Sequence, residues 1–206
     1  MNKTIIIAIT TFFCASATAR ADSVTGALAR SYRLEARGKH AAAARALSNA
    51  TPTRRLDRYF VLLRQGWLRY RARDYSGAIS AYRSAARVAP DAVEPLLGLL
   101  LPQMAARRWR DALGTARACL RKAPGNRIAT RRRAYILFNL GRYRAAARIY
   151  RYVLQRYPSD LEMQRGLAWS LLRDGQRGAA KRAFARLLRL SPSDSSAKRG
   201  LRLASR

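Results

Sequence analysis

The chain has 206 residues, 42 Lys and Arg against 11 Asp and Glu, a formal charge of +31, and 49% hydrophobic side chains. That much apolar material excludes a disordered basic tail, because it can bury a sizeable core. Two cysteines exclude a disulfide-stapled scaffold, and a lone histidine, His40, excludes a His-rich metal site.

The first element reads as an export address. Met1-Asn2-Lys3 carries positive charge, Ile5 to Phe13 is a short apolar run, and Cys14 to Ala21 is small and polar, the order of a secretory signal peptide over residues 1–21. Cleavage is expected after Ala21 at Ala19-Arg20-Ala21, with Ala17-Thr18-Ala19 competing. The apolar run falls well short of the ~20 residues that span a bilayer. Lipoprotein processing wants small residues before its cysteine, and Phe12-Phe13 precede Cys14. Removal of this segment leaves Cys119 alone, so stability must come from packing.

Beyond it, Pro90, Pro124, Pro158 and Pro192 recur at a period of 34. Twelve residues before each proline stands alanine, at Ala78, Ala112, Ala146 and Ala180. Three residues earlier come Tyr75, Trp109, Tyr143 and Arg177, and eight before each proline come Tyr82, Ala116, Tyr150 and Phe184. These columns resemble the tetratricopeptide repeat, a 34-residue unit of two antiparallel helices. Gly141 to Pro158 carries the likeness best, and Arg73 to Ala85 nearly as well.

The resemblance implies an all-α, right-handed superhelical solenoid of antiparallel helix pairs over residues 22–206. In chain order the units are a degenerate 24–57, then 59–92, 93–126, 127–160 and 161–194, with a capping helix at 195–206. Gly38 to Ala43 and Leu47 suggest the first unit, whose Pro52 comes early and which leaves Arg58 as a one-residue slip. Leu201 and Leu203 give the capping helix its apolar face, covering the last repeat. The alanine column sits where two helices approach most closely, and each proline stops a second helix because it cannot continue the hydrogen bonds.

Asp57, Asp91, Asn126, Asp160 and Asp194 lie at unit boundaries, where a short oxygen acceptor caps the next helix. Asp74, Asp111 and Asp174 sit in or beside the turn within a unit, leaving Glu35, Glu94 and Glu162 free on first helices and Asp22 at the mature start. None pairs with another at helical spacing. His40 falls in the aromatic wedge column, and Cys119 stands with Ala85 and Val153 in a small-residue column as an inert packing group. No nucleophile–base pair, phosphate loop or metal spacing emerges, so the expectation is a non-catalytic protein without cofactor.

The resemblance further implies that first helices line a concave face and second helices a convex one. Position nine then reads Tyr32, Trp67, Leu101, Tyr135 and Trp169; position twelve reads Glu35, Tyr70, Met104, Phe138 and Leu172; position five reads Leu28, Leu63, Leu97, Arg131 and Arg165. Such an aromatic and aliphatic ladder is expected to bind a protein partner, as an amphipathic helix or extended peptide. Pro102 should kink or split its helix. That bend either opens the groove around Leu97, Leu101 and Met104 or marks a poor repeat held by its neighbours.

On second helices, Arg83, Arg117 and Arg151 stand four residues before Arg87, Arg121 and Gln155, and Arg148, Lys181, Arg182, Arg186 and Arg189 extend the stripe. All but five of the 42 basic residues are arginine, so GC-rich coding is one account of it. Attraction to an anionic lipid or polysaccharide is the other. Nucleic acid, the default partner for such charge, is disfavoured by the signal peptide. The expected function is a periplasmic scaffold binding another protein, with the resemblance implying an adaptor role in envelope assembly or polysaccharide export. The alternative is a direct binder of anionic envelope glycan or lipid through the arginine face.

Overall fold

The computed structural model describes residues 23–206; the expected signal peptide lies outside the described residues. Among them the elements are all α-helical. The helices are α1 (Val24–Ala36), α2 (His40–Ala46), α3 (Arg55–Arg71), α4 (Tyr75–Val88), α5 (Glu94–Ala105), α6 (Trp109–Lys122), α7 (Arg127–Asn139), α8 (Tyr143–Arg156), α9 (Leu161–Arg173), α10 (Arg177–Leu190) and α11 (Ser195–Ala204).

Each pair is joined by one sharp turn. Gly38, Arg73, Arg107, Gly141 and Gly175 occupy equivalent turn positions with φ of 69°, 63°, 54°, 72° and 80°. A single left-handed residue ends a helix by directing the following N–H groups back onto its last carbonyls. The amide of Asp74, for example, donates to the Arg69 carbonyl at 2.9 Å. Between pairs, Pro90, Pro124, Pro158 and Pro192 all fall in the turns after α4, α6, α8 and α10.

Asn126, Asp160 and Asp194 cap α7, α9 and α11, accepting from the amides of Ala129, Met163 and Ala197 at 2.9, 3.2 and 2.9 Å. The other two expected caps do not form. Helix α3 starts at Arg55, which puts Asp57 in its first turn, and α5 is preceded by Val93 while Asp91 stays exposed. Asp74 is a cap instead, taking the Gly77 amide at 2.9 Å at the start of α4.

The contact pattern fixes the curvature. Each helix packs on the next in sequence, and every odd helix also touches the next odd one; among the described residues no two even helices touch. Odd helices therefore crowd the inner, concave side and even helices splay over the outer, convex side. Ala78, Ala112, Ala146 and Ala180 are fully buried where each pair closes.

The ring positions are filled by a ring-and-hole device. Tyr82, Tyr150 and Phe184 are buried against Gly98, Gly166 and Gly200 of the following odd helix, where an added Cβ would lie 2.2, 2.4 and 2.2 Å from ring atoms. The α6–α7 interface departs from this: Ala116 replaces the ring and Arg132 the glycine.

Three expectations need correcting. The first unit does not end at residue 57: α2 is seven residues long, Pro52 lies in the crossing, and the chain re-enters helix at Arg55 as the 17-residue α3. Pro102 does not split α5, which runs through it to Ala105. The proline removes a donor to the Gly98 carbonyl, and the adjacent Leu97 carbonyl accepts from Arg132 Nη1 at 2.6 Å. In α11 the inward face is Ala197, Gly200, Leu201 and Ala204, and Leu203 points outward.

Candidate functional site

The concave face divides into two halves of different character. In the N-terminal half the side chains serve each other. Arg64, only 8% exposed, donates through Nε to Ser31 Oγ at 3.1 Å and through Nη2 to Glu35 at 2.8 Å. Its guanidinium lies 3.4 Å from the centre of the Tyr32 ring. Trp67 Nε1 donates to the other Glu35 oxygen at 3.0 Å. Burial pushes the Glu35 carboxyl up, but the hydrogen bonds from Trp67 and Arg64 outweigh it and hold it below the ordinary carboxylate range. Tyr70 sits between Trp67 and Tyr75, with ring centres at 5.9 and 6.2 Å.

In the middle, Leu63, Leu97, Leu101 and Met104 are half-buried; Leu63 packs on Ile79, Tyr82 and Leu99. The ladder is thus no continuous exposed strip.

The C-terminal half is open. Tyr135 is 45% exposed, with its ring edge-on to Trp109 at 5.9 Å. Phe138 and Trp169, both half-buried, are held edge-on by Tyr143 at 5.4 Å and Phe184 at 5.3 Å. Trp169 Nε1 donates to Ser196 Oγ at 3.0 Å, and Leu172 packs into the core beside it. Together Tyr135, Phe138 and Trp169 line a cavity of about 550 Å³ whose polar rim is Glu162, Arg165, Arg173, Ser196 and Arg199. A hollow of about 320 Å³ adjoins it, sharing Tyr135 and Glu162 and adding Met104, Ile128, Arg131 and Arg132.

Arg131 and Arg165 lie in this half, but each is engaged across a repeat boundary. Arg131 pairs with Glu162 and stands 3.7 Å from Asp160. Arg165 donates to Asp194, whose side chain is 5% exposed. The Arg165 hydrogen bond is the main cause holding the Asp194 carboxyl below its ordinary range. Sequence reasoning missed Arg173 and Arg199 at the rim; Arg199 sits 5.5 Å from the Trp169 ring centre. Position five on the capping helix, extended from Arg131 and Arg165, is the signal that would have found Arg199.

The three acids expected to be free on first helices are all engaged, and Asp22 lies outside the described residues. Glu35 and Glu162 are ion-paired, and Glu94 accepts from the Tyr59 hydroxyl at 2.9 Å. Burial and then Glu94 push the Tyr59 phenol up to about 12. Cys119 is fully buried, and burial raises its thiol. Among the described residues no group of three His, Cys, Asp or Glu is placed to hold a metal ion, and no helix is long and apolar enough to cross a membrane.

On the convex side Arg83, Arg87, Arg117, Arg121, Arg148, Arg151, Arg182, Arg186 and Arg189 are all exposed. Arg87 donates to Ser84 Oγ at 2.8 Å. Among the described residues none of the nine takes part in an ion pair.

Two family models described as tetratricopeptide repeat match the chain, one over residues 63–101 and 103–160 and the other over 137–203. No curated protein matches it in sequence. Among solved structures it is similar to a tetratricopeptide repeat protein from Parabacteroides merdae, with 20% identity, 86% of this chain and 70% of that one covered, and a TM-score of 0.79. It is also similar to YrrB, a tetratricopeptide repeat protein with an unusual peptide-binding site, at 13% identity, 87% and 92% coverage and a TM-score of 0.72. A third is MamA from Desulfovibrio magneticus RS-1, at 15% identity, 84% and 97% coverage and a TM-score of 0.72. At these identities the likeness concerns the fold.

Proposed function

The chain belongs to the tetratricopeptide repeat family, a family of protein-interaction scaffolds, and from that premise we propose that it holds a protein partner in the C-terminal half of its concave groove. In this reading it is a non-catalytic adaptor, exported by residues 1–21 to the bacterial periplasm, where it serves envelope assembly or polysaccharide export.

The observation that carries the proposal is the cavity of about 550 Å³ around Tyr135, Phe138 and Trp169. Its walls are aromatic faces already oriented by edge contacts to Tyr143 and Phe184, so little side-chain entropy is lost when a ligand packs on them. The rim supplies both charges, which can fix the register of a bound helix or strand. In the N-terminal half the indole and the carboxylate are spent on each other. YrrB, similar in fold, binds peptide, which supports a peptide or helix as the occupant here.

The test is site-specific photo-crosslinking in envelope fractions, with a benzophenone amino acid at position 135 or at Tyr152 on the convex side. A discrete protein adduct from position 135, absent from position 152 and lost with Trp169→Ala, is the expected result. Adducts from position 152 alone, or none at 135, would remove the groove from the account.

A further inference from the structure

The convex face is the largest feature that the groove leaves unexplained. The five even helices contain a single acid, Asp111, and it is paired with Arg108. The boundary and concave acids, by contrast, neutralise arginines: Glu35 holds Arg64, Asp160 and Glu162 hold Arg131, and Asp194 holds Arg165. A coding bias toward arginine would add charge to both faces, but it would not strip acids from one of them.

On α6, Arg117 and Arg121 stand one helical turn apart, about 6 Å along the axis, and Arg148 and Arg151 are neighbours on α8. Like charges at this spacing repel by a few tenths of a kcal/mol per pair, and no protein carboxylate relieves them. Such an array concentrates anions from solution.

We propose that this face binds an acidic polysaccharide, a linear polymer of carboxylate-bearing sugars. Guanidinium is suited to it, because its planar fork matches a carboxylate with two parallel hydrogen bonds. Shape selects a flexible chain. The even helices splay apart without touching, so their arginine rows curve away from one another, and a polymer can follow them where a flat bilayer meets only the crest. Membrane surfaces are also gripped by apolar side chains, and the exposed large apolar groups on even helices are only Tyr152 and Leu190. Tyr152 lies beside the Arg156 guanidinium, 4.8 Å from ring centre to Cζ, offering a sugar ring a face next to a cation. A nucleic acid strand would need successive aromatic platforms, and here there is one.

The test compares two variants of equal net charge in the full mature chain, using a polyuronate as the probe at about 50 to about 200 mM salt. Arg117, Arg121, Arg148 and Arg151→Gln strips the convex face; Arg33, Arg58, Arg202 and Arg206→Gln removes four charges elsewhere. Affinity is expected to fall about tenfold or more in the first and to change less than about twofold in the second. Tyr135→Ala should leave polyuronate binding unchanged, so failure here and failure of the groove reading give different results. Equal losses in both quadruple variants would overturn the proposal, reducing the face to bulk charge. So would tighter binding of oligothymidylate, or of anionic phospholipid vesicles, than of polyuronate.

Discussion

The Phe184 ring closes on Gly200 so tightly that a Cβ at Gly200 would lie 2.2 Å from its Cζ. The same relation joins Tyr150 to Gly166 and Tyr82 to Gly98, so a missing side chain on one unit is what admits the ring of the unit before it. Alanine is favoured over glycine in a helix by about 1 kcal/mol, yet overpacking a filled site costs about 1–3 kcal/mol. Gly166→Ala should therefore destabilise the chain by about 1 kcal/mol net. Gly114, on α6 with open space around it, carries no such penalty, and Gly114→Ala should stabilise by about 1 kcal/mol. Urea midpoints shifting in opposite directions confirm the relation; a shared direction refutes it.

Ala116 and Arg132 invert the device at one interface, with the small residue on the second helix and the large one on the first. Burial lowers the Arg132 pKa, and its Nη1 is anchored on the Leu97 carbonyl. Ala116→Tyr alone would meet the arginine, and Arg132→Gly alone would leave a gap and an unpaired carbonyl. Combined, they recreate the neighbouring interfaces. A double-mutant cycle should show favourable coupling of about 1–3 kcal/mol; additive losses would mean that the two positions do not share a site.

Arg73 and Arg107 hold the left-handed turn position that glycine fills in the other three units. Their side chains are exposed, and a left-handed conformation costs an L-residue about 1–2 kcal/mol. Arg73→Gly should stabilise the chain by up to about 1 kcal/mol, the gain being trimmed by the extra freedom glycine has when unfolded. The thermal midpoint is the measurement, and a lower midpoint would contradict the backbone argument.

Most of the fold was legible because its stop signals are local. Four prolines and one alanine column fixed the second helices from α4 to α10, and the left-handed turns from Arg73 to Gly175 follow the same period. The first unit was misread because α2 ends early, so nothing in register marks where α3 begins. The candidate groove was legible only in part. Its residues were identified by position, whereas their availability depends on partners about 30 residues away on a neighbouring unit or cap: Trp67 on Glu35, Arg131 on Glu162, Arg165 on Asp194. Helical spacing within one element cannot show a pair that forms between elements.

Those same pairs set the acid limit of stability. Asp194 and Glu35 titrate below their ordinary values of 3.8 and 4.5, the first chiefly through the Arg165 hydrogen bond and the second because bonds from Trp67 and Arg64 outweigh burial. A carboxyl depressed in the folded state contributes stability that is complete above its unfolded pKa and is lost as pH falls through the folded one. Stability should thus hold from neutral pH down to about 4.5 and decline below it. At the other end, burial pushes the Tyr59 and Tyr82 phenols from 10.0 up to about 12. A raised phenol contributes fully below its unfolded value, and that contribution drains as pH climbs toward the folded one, so a second decline should begin near pH 10.0. Asp194→Asn separates charge from capping, since asparagine caps a helix about as well as aspartate and can still accept from the Ala197 amide, but cannot ion-pair with Arg165. In urea unfolding followed by circular dichroism across about pH 2 to 6, this variant should start less stable at the upper end of that range and show a shallower acid slope than the wild type. An unchanged slope would assign the acid sensitivity to Glu35 and the N-terminal network instead.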